Sequence, residues 1–205
     1  MQHSQIAVST AYLAPLEYYA ALASSNSVEI EQHEYFIKQT YRNRCAICGA
    51  NGALTLSIPL HERKNKTLTK DIRISNQTNW QNIHWRSIES AYNSSPFFEF
   101  YKDDLIPFYE KKFDFLIDFN FSLQQKIDEL VGLKINYSHS NYYHTTIDNT
   151  IDLRNSFSPK KISTVNFLQY FQVFENKNGF IPDLSIIDLL FNEGPQTLSY
   201  LKTIF

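Results

Sequence analysis

The amino-acid sequence predicts one mixed α+β domain over residues 1–205. An N-terminal, mainly antiparallel or mixed β-sheet is expected to pack with a mostly α-helical middle and C-terminal part. Short segments as far as Ser75 alternate apolar and polar side chains, which is the period of a half-buried strand. From Trp80 onward apolar side chains recur at helical spacing. A chain of 205 residues is long enough to bury one substantial core.

The first part of the chain supplies most of the predicted strands, which are residues 6–9, 28–31, 45–47, 54–58 and 71–75. Pro15 opens an apolar segment, residues 16–22, that has the length and composition of a helix. Asn51-Gly52 predicts a hairpin turn between the strands that flank it. Residues 61–70 are expected to form a solvated connection.

Helical spacing dominates the later segments, which are residues 80–92, 97–108, 115–131 and 186–191, with a closing helix from Pro195. Asn79, Asp114 and either Asp183 or Ser185 are the expected N-caps of three of them. Gly132 is expected to end residues 115–131 in the left-handed conformation. Residues 133–137 are predicted to form a late strand, and residues 142–163 a long connection.

Composition and charge exclude several classes of function. A net charge of -2 does not produce the overall positive electrostatic potential that favours binding of nucleic acid. The start of the chain lacks a secretory signal, and no apolar run reaches about 18 residues, so we expect a cytoplasmic protein without membrane insertion. Tyrosine and phenylalanine dominate an aromatic content of 15%, which favours a ring-rich core and, as the alternative, a binding cleft. The oligomeric state stays open.

The chain has two cysteines, Cys45 and Cys48. A closed zinc site needs four ligands, and no second C-x-x-C pair completes one. In a strand the two thiols would point away from each other, which argues against a redox pair. We therefore expect buried structural thiols, no metal and no cofactor. Cys45 is kept as an alternative nucleophile, because neighbouring arginines can lower the pKa of its thiol.

Residues 33–45, HEYFIKQTYRNRC, interleave charged groups with rings. Arg42 and Arg44 lie on one face if the segment is extended, so together they can clamp a carboxylate or phosphate, with Lys38 adding a third positive charge. Tyr35 or Tyr41 would then form a pocket wall. The alternative is that the arginines form structural ion pairs with nearby glutamates. These glutamates are Glu29, Glu31 and Glu34.

His33, Glu34 and His84 are the candidates for acid–base catalysis. A histidine titrates near neutral pH, and a carboxylate beside it would fix its tautomer and raise its basicity. Taken alone, each histidine also fits a surface position or a hydrogen-bonded core position. A metal site built from the two histidines with Glu31 and Glu34 is a further alternative, although the spacing does not match H-E-x-x-H.

Asp188 lies inside the apolar run of residues 186–191, where an unpaired carboxylate would be costly. We expect it to form an ion pair with an arginine. The alternative is that it orients Arg42 or Arg44.

Several separated motifs, taken in order, resemble the WbqC-like family of bacterial proteins, and the ending, residues 184–194, resembles the form found in its Bacteroidetes branch. They are Tyr12-Leu13, Tyr18-Tyr19, Arg42-Asn43-Arg44, residues 54–59, Trp80, His84, Ser87-Ile88, Tyr92, Pro96-Phe97-Phe98, Tyr101, Asn120, residues 130–133 and residues 184–194. Two positions depart from the family pattern: Ser9-Thr10 replaces Gln-Pro, and Glu17 replaces Gly. The departures leave room for a changed substrate or for none.

The resemblance implies transfer of an aminoacyl group, such as glycyl, to the amine of a nucleotide-linked amino sugar in surface-polysaccharide synthesis. A small-molecule substrate would then be the partner. His33 or His84, with Glu34, would serve as base, and Arg42 or Asn43 as oxyanion donor. The remaining ligand-binding candidates are Lys38 and Arg44 for a phosphate, and Tyr12 and Tyr41. The alternative is a non-catalytic module that binds an anionic or nucleotide-sugar ligand in envelope metabolism.

Overall fold

The structure is a computed structural model that describes residues 5–62, 65–146 and 149–205. The strands are β1 (Ile6–Ser9), β2 (Ser27–Glu31), β3 (Arg44–Gly49), β4 (Gly52–Ser57), β5 (Asn136–His139) and β6 (Ile151–Asp152). The helices are α1 (Leu16–Ala23), α2 (Trp80–Tyr92), α3 (Phe98–Glu110), α4 (Leu116–Val131), α5 (Glu175–Asn178), α6 (Ile186–Glu193) and α7 (Thr197–Leu201). The predicted mixed α+β class is confirmed.

The main sheet has four strands in the order β5-β2-β1-β6, and all neighbours are parallel. Ile6 of the central strand pairs with Val28 on one side and with Ile151 on the other. All four residues of β1 are buried, as expected for an inner strand covered on both faces. Among the strands of the described residues, only β3 and β4 pair antiparallel, and they form a separate hairpin. The sequence left the direction of the main sheet open, because alternation along a strand does not specify the direction of its neighbour.

The β3–β4 hairpin confirms the turn that Asn51-Gly52 predicts. Gly49 pairs with Gly52 across a two-residue connection, and Gly52 has a φ of 102°, a conformation that glycine adopts without strain. At the other end of β4, the backbone N–H of Ile58 donates to the carbonyl of Asn43. The hairpin thereby fixes the backbone that carries Arg42, Asn43 and Arg44.

Some predicted element boundaries are wrong. Residues 71–75 form no strand: a 3₁₀ turn at Thr69–Asp71 is followed by isolated bridges, one between Leu60 and Ile74 and one between Arg73 and Phe115. The predicted alternation of buried and exposed side chains is present, since Ile72 and Ile74 are buried. The backbone of this segment pairs through isolated bridges, however, and not through the continuous hydrogen-bond ladder of a strand. The late strand begins at Asn136, and the predicted connection 142–163 contains the short strand β6. Residues 63–64 of the predicted loop 61–70 lie outside the described residues.

The helix ends follow the sequence signals only partly. Gly132 ends α4 with a φ of 81°, which confirms the left-handed cap. Phe115 rather than Asp114 occupies the N-cap of α4. Of the two caps predicted for α6, Ser185 occupies the N-cap position. The Oδ1 of Asp183 instead accepts the backbone N–H of Glu17 in α1 at 2.8 Å. Burial raises the pKa of the Asp183 carboxyl to about 7.

The core is rich in rings, in agreement with the composition. Large side chains with no more than trace exposure come from the loop after β1 and from α1, α2, α3, α4 and α6: Tyr12, Tyr19, Tyr92, Phe98, Phe119 and Phe191. Helix α6 is buried on all sides from Ile186 to Asn192. No helix in the described ranges is long and apolar enough to cross a membrane.

Asp188 of α6 is paired in a way that the sequence did not suggest. Its carboxylate accepts hydrogen bonds from Tyr92 Oη at 2.8 Å, Tyr170 Oη at 2.6 Å and Gln172 Nε2 at 2.8 Å. The expected arginine partner is therefore wrong, and neutral donors satisfy the buried oxygens instead. Burial raises the pKa of Asp188 despite these donors. The three bonds tie α2 and residues 170–172 to α6.

Replacing Asp188 by Ala is expected to lower the free energy of unfolding by about 3 kcal/mol, because three buried donors lose their acceptor at once. The measurement is urea denaturation at neutral pH. Asp103→Ala, at an exposed position of α3, serves as the matched control with a change below about 0.5 kcal/mol. Equal denaturation midpoints for the two variants would contradict the assigned role of Asp188.

Candidate functional site

Polar side chains collect where the four parallel strands of the main sheet end. We define the sheet-edge cluster as Ser9, Glu31, Ser140, Asp152 and Arg154, which end these strands or follow them by one or two residues. Carboxyl ends of parallel strands share one edge, and ligands in open parallel sheets bind beside that edge. The fold thus places these side chains where a binding site is expected.

Glu31 lies at the centre of the cluster and is only 1% exposed. Its Oε1 accepts the backbone N–H of His33 and the hydroxyl of Ser140, both at 2.7 Å. Its Oε2 accepts a guanidinium N–H of Arg154 at 3.2 Å. These three hydrogen bonds satisfy both oxygens of the buried carboxylate.

Arg154 is a site residue that the sequence analysis missed. Its Nε and Nη2 donate to the two oxygens of Asp152 at 2.8 and 2.6 Å, and Nη1 donates to the carbonyl of His144 at 2.7 Å. The Asp152 carboxylate raises the pKa of Arg154, while the guanidinium lowers the pKa of Asp152. The spacing Asp-x-Arg was the available signal, because alternate residues of an extended segment face the same side.

Arg42 forms the structural ion pair that was the alternative to an anion clamp. Its Nε and Nη2 donate to the two oxygens of Glu34, both at 2.7 Å, and the two side chains are 4% and 6% exposed. Nη2 also donates to Ser9 Oγ at 2.7 Å, and Nη1 to Thr40 Oγ1 at 3.2 Å. The predicted joint clamp of Arg42 and Arg44 is therefore not formed, because a buried guanidinium needs its carboxylate close by.

Residues 33–39 separate two cavities. The His33 cavity has a volume of about 330 Å³ and is lined by His33, Glu34, Tyr35, Ile37, Leu68, Tyr143 and Asn155. The Arg44 cavity has a volume of about 240 Å³ and is lined by Phe36, Lys38, Gln39, Asn43, Arg44 and Leu60. The two cavities share no lining residue. The structure thus divides the predicted site between them, with His33 and Glu34 in one and Lys38, Asn43 and Arg44 in the other.

His33 is oriented through Ser140 rather than by its neighbour Glu34. Its Nδ1 lies 3.3 Å from Ser140 Oγ. Because the Ser140 hydroxyl donates to Glu31, the serine oxygen is left to accept, and this arrangement favours a proton on Nδ1. Nε2 is then the basic nitrogen. The expected pairing of His33 with Glu34 is not formed, since both oxygens of Glu34 bind Arg42.

His84 lies in the core and not beside His33. Tyr12 Oη is 2.9 Å from His84 Nδ1 and 3.0 Å from Tyr109 Oη. Burial lowers the pKa of His84 to about 4, although the Ser57 carbonyl acts in the opposite direction. His84 is therefore neutral at pH 7 and has little contact with solvent, so catalysis by this residue stays a prediction without geometric support. Tyr12 is fully buried and offers no surface to a ligand.

The other sequence candidates are also placed. Burial raises the pKa of the Cys45 thiol, which contradicts the idea that nearby arginines lower it. Tyr41 is half-buried and lines a narrow crevice with Ser9 and Arg42. The side-chain amide of Asn43 donates through Nδ2 to the carbonyl of Ile58 at 2.9 Å. Within the described parts of the chain, no three His, Cys, Asp or Glu side chains are grouped to hold a metal ion.

Comparisons with known proteins agree with the motifs quoted above. A model described as the WbqC-like protein family matches residues 10–161 and 152–200. An uncharacterized protein of Mycobacterium tuberculosis is 24% identical over 227 aligned residues, which cover 95% of this chain and 96% of that protein. No solved structure matches the chain.

We expect Arg42 and Glu34 to be strongly coupled in unfolding. Arg42→Ala leaves a buried carboxylate unpaired and is expected to cost about 3–5 kcal/mol. In the double variant Arg42→Ala, Glu34→Ala the cost is expected to be smaller than the sum of the two single costs by more than 1 kcal/mol, roughly. The same urea cycle on the exposed pair Lys102 and Glu99 should give a much smaller coupling, because solvent screens an exposed ion pair. Additive costs at Arg42 and Glu34 would contradict the assigned pairing.

The stability of the protein is expected to report the neutral state of His84. Between pH 6.5 and about pH 4 the unfolded chain binds a proton at this histidine and the folded chain does not, so the free energy of unfolding falls as the pH falls. The loss attributable to His84 is expected to reach about 3 kcal/mol. It is obtained by comparing urea denaturation of the wild type and His84→Gln across this range. An NMR titration midpoint of His84 near 6.5 would instead indicate a solvent-accessible imidazole.

Proposed function

Because this chain belongs to the WbqC-like protein family, we propose that it transfers an acyl group to an amine at the His33 cavity. The acyl group is an aminoacyl group such as glycyl. The acceptor is the amine of an amino sugar that is used to build surface polysaccharide, and the transfer takes place in the cytoplasm. One observation carries the proposal: the imidazole of His33, held at Nδ1 by Ser140, lies in the wall of a cavity of about 330 Å³.

The chemistry needs one proton acceptor near the amine. The amine nitrogen attacks the carbonyl carbon of the activated acyl donor, and His33 Nε2 takes the proton that the nitrogen loses. The imidazolium then returns this proton to the departing group as the tetrahedral intermediate collapses. Ser140 and Glu31 stabilise the imidazolium, because the carboxylate accepts from the serine hydroxyl, whose oxygen accepts from Nδ1.

The remaining wall of the His33 cavity suits a sugar. Tyr35 and Tyr143 are 56% and 47% exposed, so their faces are available for stacking on a sugar ring. The guanidinium carbon of Arg154 lies 4.9 Å from the centre of the Tyr143 ring, and this contact orients the ring. Ile37 and Leu68 add apolar surface. The mixture of rings, apolar groups and a few polar groups is typical of small-molecule sites.

The oxyanion donor differs from the one that the sequence suggested. The hydrogen bonds of Arg42 are directed to Glu34, Ser9 and Thr40, and Asn43 lines the other cavity. Asn155 is exposed at the wall of the His33 cavity, so we assign its side-chain amide to the oxyanion. Arg42 and Glu34 instead hold the backbone of residues 34–42 in place.

A binding module without catalysis is the second candidate. Among the described residues around His33, the carboxylates of Glu31 and Glu34 both form ion pairs with buried arginines. Because both carboxylates are paired with arginines, neither is free to act as a base beside His33, which is consistent with retention of a ligand without proton transfer. In that case the sugar would stack on Tyr35 and Tyr143 in the same position, and it would dissociate without having reacted.

The decisive measurement is product formation. The purified protein is incubated with a UDP-linked amino sugar and a panel of activated glycine donors, and mass spectrometry detects the glycyl amide. We expect the wild type to form the amide and His33→Ala to slow its formation by about 10²-fold or more, the usual contribution of a general base. Asn155→Ala is expected to slow it by about 10²-fold through loss of the oxyanion donor.

His61→Ala provides the matched control, because His61 is exposed and lies outside the lining of the His33 cavity. Its rate should equal that of the wild type. Saturable binding of the amino sugar by wild type without product from any donor would select the binding module. An unchanged rate in His33→Ala would remove His33 from the mechanism.

A further inference from the structure

The Arg44 cavity contains two positively charged side chains, Arg44 and Lys38, that form no ion pair with the described residues. We propose that this cavity is a binding site for a phosphate group, carried by a small molecule such as a nucleotide. It lies on the other side of residues 33–39 from the His33 cavity, and the two share no lining residue. The proposal therefore does not depend on acyl transfer at His33.

Arg44 provides the principal observation. Its Nε is buried and has no hydrogen-bond partner among the described residues. Buried N–H groups are nearly always paired in folded proteins, so an unpaired guanidinium N–H indicates a missing acceptor. Arg42, two positions earlier, differs in this respect, because its Nε and Nη2 donate to the two oxygens of Glu34.

The charge around Arg44 has one sign. Lys38 lines the same cavity and forms no ion pair with any described residue, and the described lining contains no carboxylate. A guanidinium presents a planar fork of donors, and a lysine ammonium adds a compact point charge. Together they match the several oxygens of a phosphate better than those of a single carboxylate.

The backbone fixes the positions of these groups before any ligand arrives. Arg44 begins β3, where it pairs with Ser57 of β4, so its backbone belongs to the rigid hairpin. Gln39 adopts a φ of 59°, and Thr40 Oγ1 donates to the carbonyl of Ile37 at 2.9 Å, which folds the segment back beside Lys38. A non-glycine residue in this conformation is uncommon and is found most often at turns and sites.

The rest of the lining indicates what the phosphate is attached to. Phe36 and Leu60 supply apolar surface next to the cations, while the amide of Gln39 adds a donor. A ring face beside a phosphate site is suited to stacking of a base or a sugar. Inorganic phosphate and the phosphates of a nucleotide present the same kind of oxygen atoms to Arg44 and Lys38. A nucleotide can in addition contact the apolar wall formed by Phe36 and Leu60, whereas inorganic phosphate cannot.

The test is calorimetric titration of the full chain with inorganic phosphate, pyrophosphate, UDP and acetate at matched ionic strength. Saturable binding of a phosphate-bearing probe is expected, and Arg44→Gln should weaken it by about tenfold or more because a charge-assisted hydrogen bond is lost. Tighter binding of UDP than of pyrophosphate would assign the apolar wall to the nucleoside. Equal binding of the two would assign the site to the phosphates alone.

A control separates this site from general charge effects. Arg86→Gln changes an exposed arginine of α2 and should bind the probe as the wild type does. If Arg44→Gln fails to fold, Lys38→Gln at an exposed position replaces it and should also weaken binding. No saturable binding of any phosphate probe, equal affinity for acetate, or unchanged affinity in these cavity variants would overturn the proposal.

Discussion

The buried ion pair between Arg42 and Glu34 is the interaction on which the candidate site depends. It closes residues 34–42 into a loop and fastens that loop through Ser9 to the end of the central strand β1. The path of residues 33–39 follows from this attachment, and with it the separation of the His33 and Arg44 cavities. A charged pair inside the protein persists when its geometry is good and further hydrogen bonds support it, and Arg42 makes four such bonds.

The same principle organises the neighbouring sheet edge. Glu31 and Asp152 share the guanidinium of Arg154, and Ser9 donates to the backbone carbonyl of Arg154 while accepting from Arg42. Carboxylates and arginines therefore balance each other beneath the site. The imidazole of His33 is linked to Glu31 through Ser140, whereas Arg44 is not a member of these ion pairs. The protein thus offers two chemically different groups, an imidazole and a guanidinium, to ligands at separate cavities.

Much of the family signature describes packing rather than chemistry. Tyr12 and His84 bind each other inside the core, and Tyr92 donates to Asp188, so these four motif residues hold helices and loops together. Polar groups within a ring-rich core specify one arrangement because each donor must meet its acceptor. A resemblance carried by such residues is strong support for a shared fold. It says less about substrate, which depends on exposed residues such as Tyr35, Tyr143 and Asn155.

The sequence by itself determined the features that depend on neighbouring residues. Periodicity located β1, α1 and the long helices, Gly132 marked the end of α4, and residues 33–45 were recognised as the charged segment near the site. Only the tertiary structure decided the parallel direction of the main sheet, the partner of each arginine and the separation of His33 from His84. The physical reason is that buried charges choose partners by proximity in space. Glu31 meets Ser140 and Arg154 across 109 and 123 positions of chain, a distance over which no local pattern carries information.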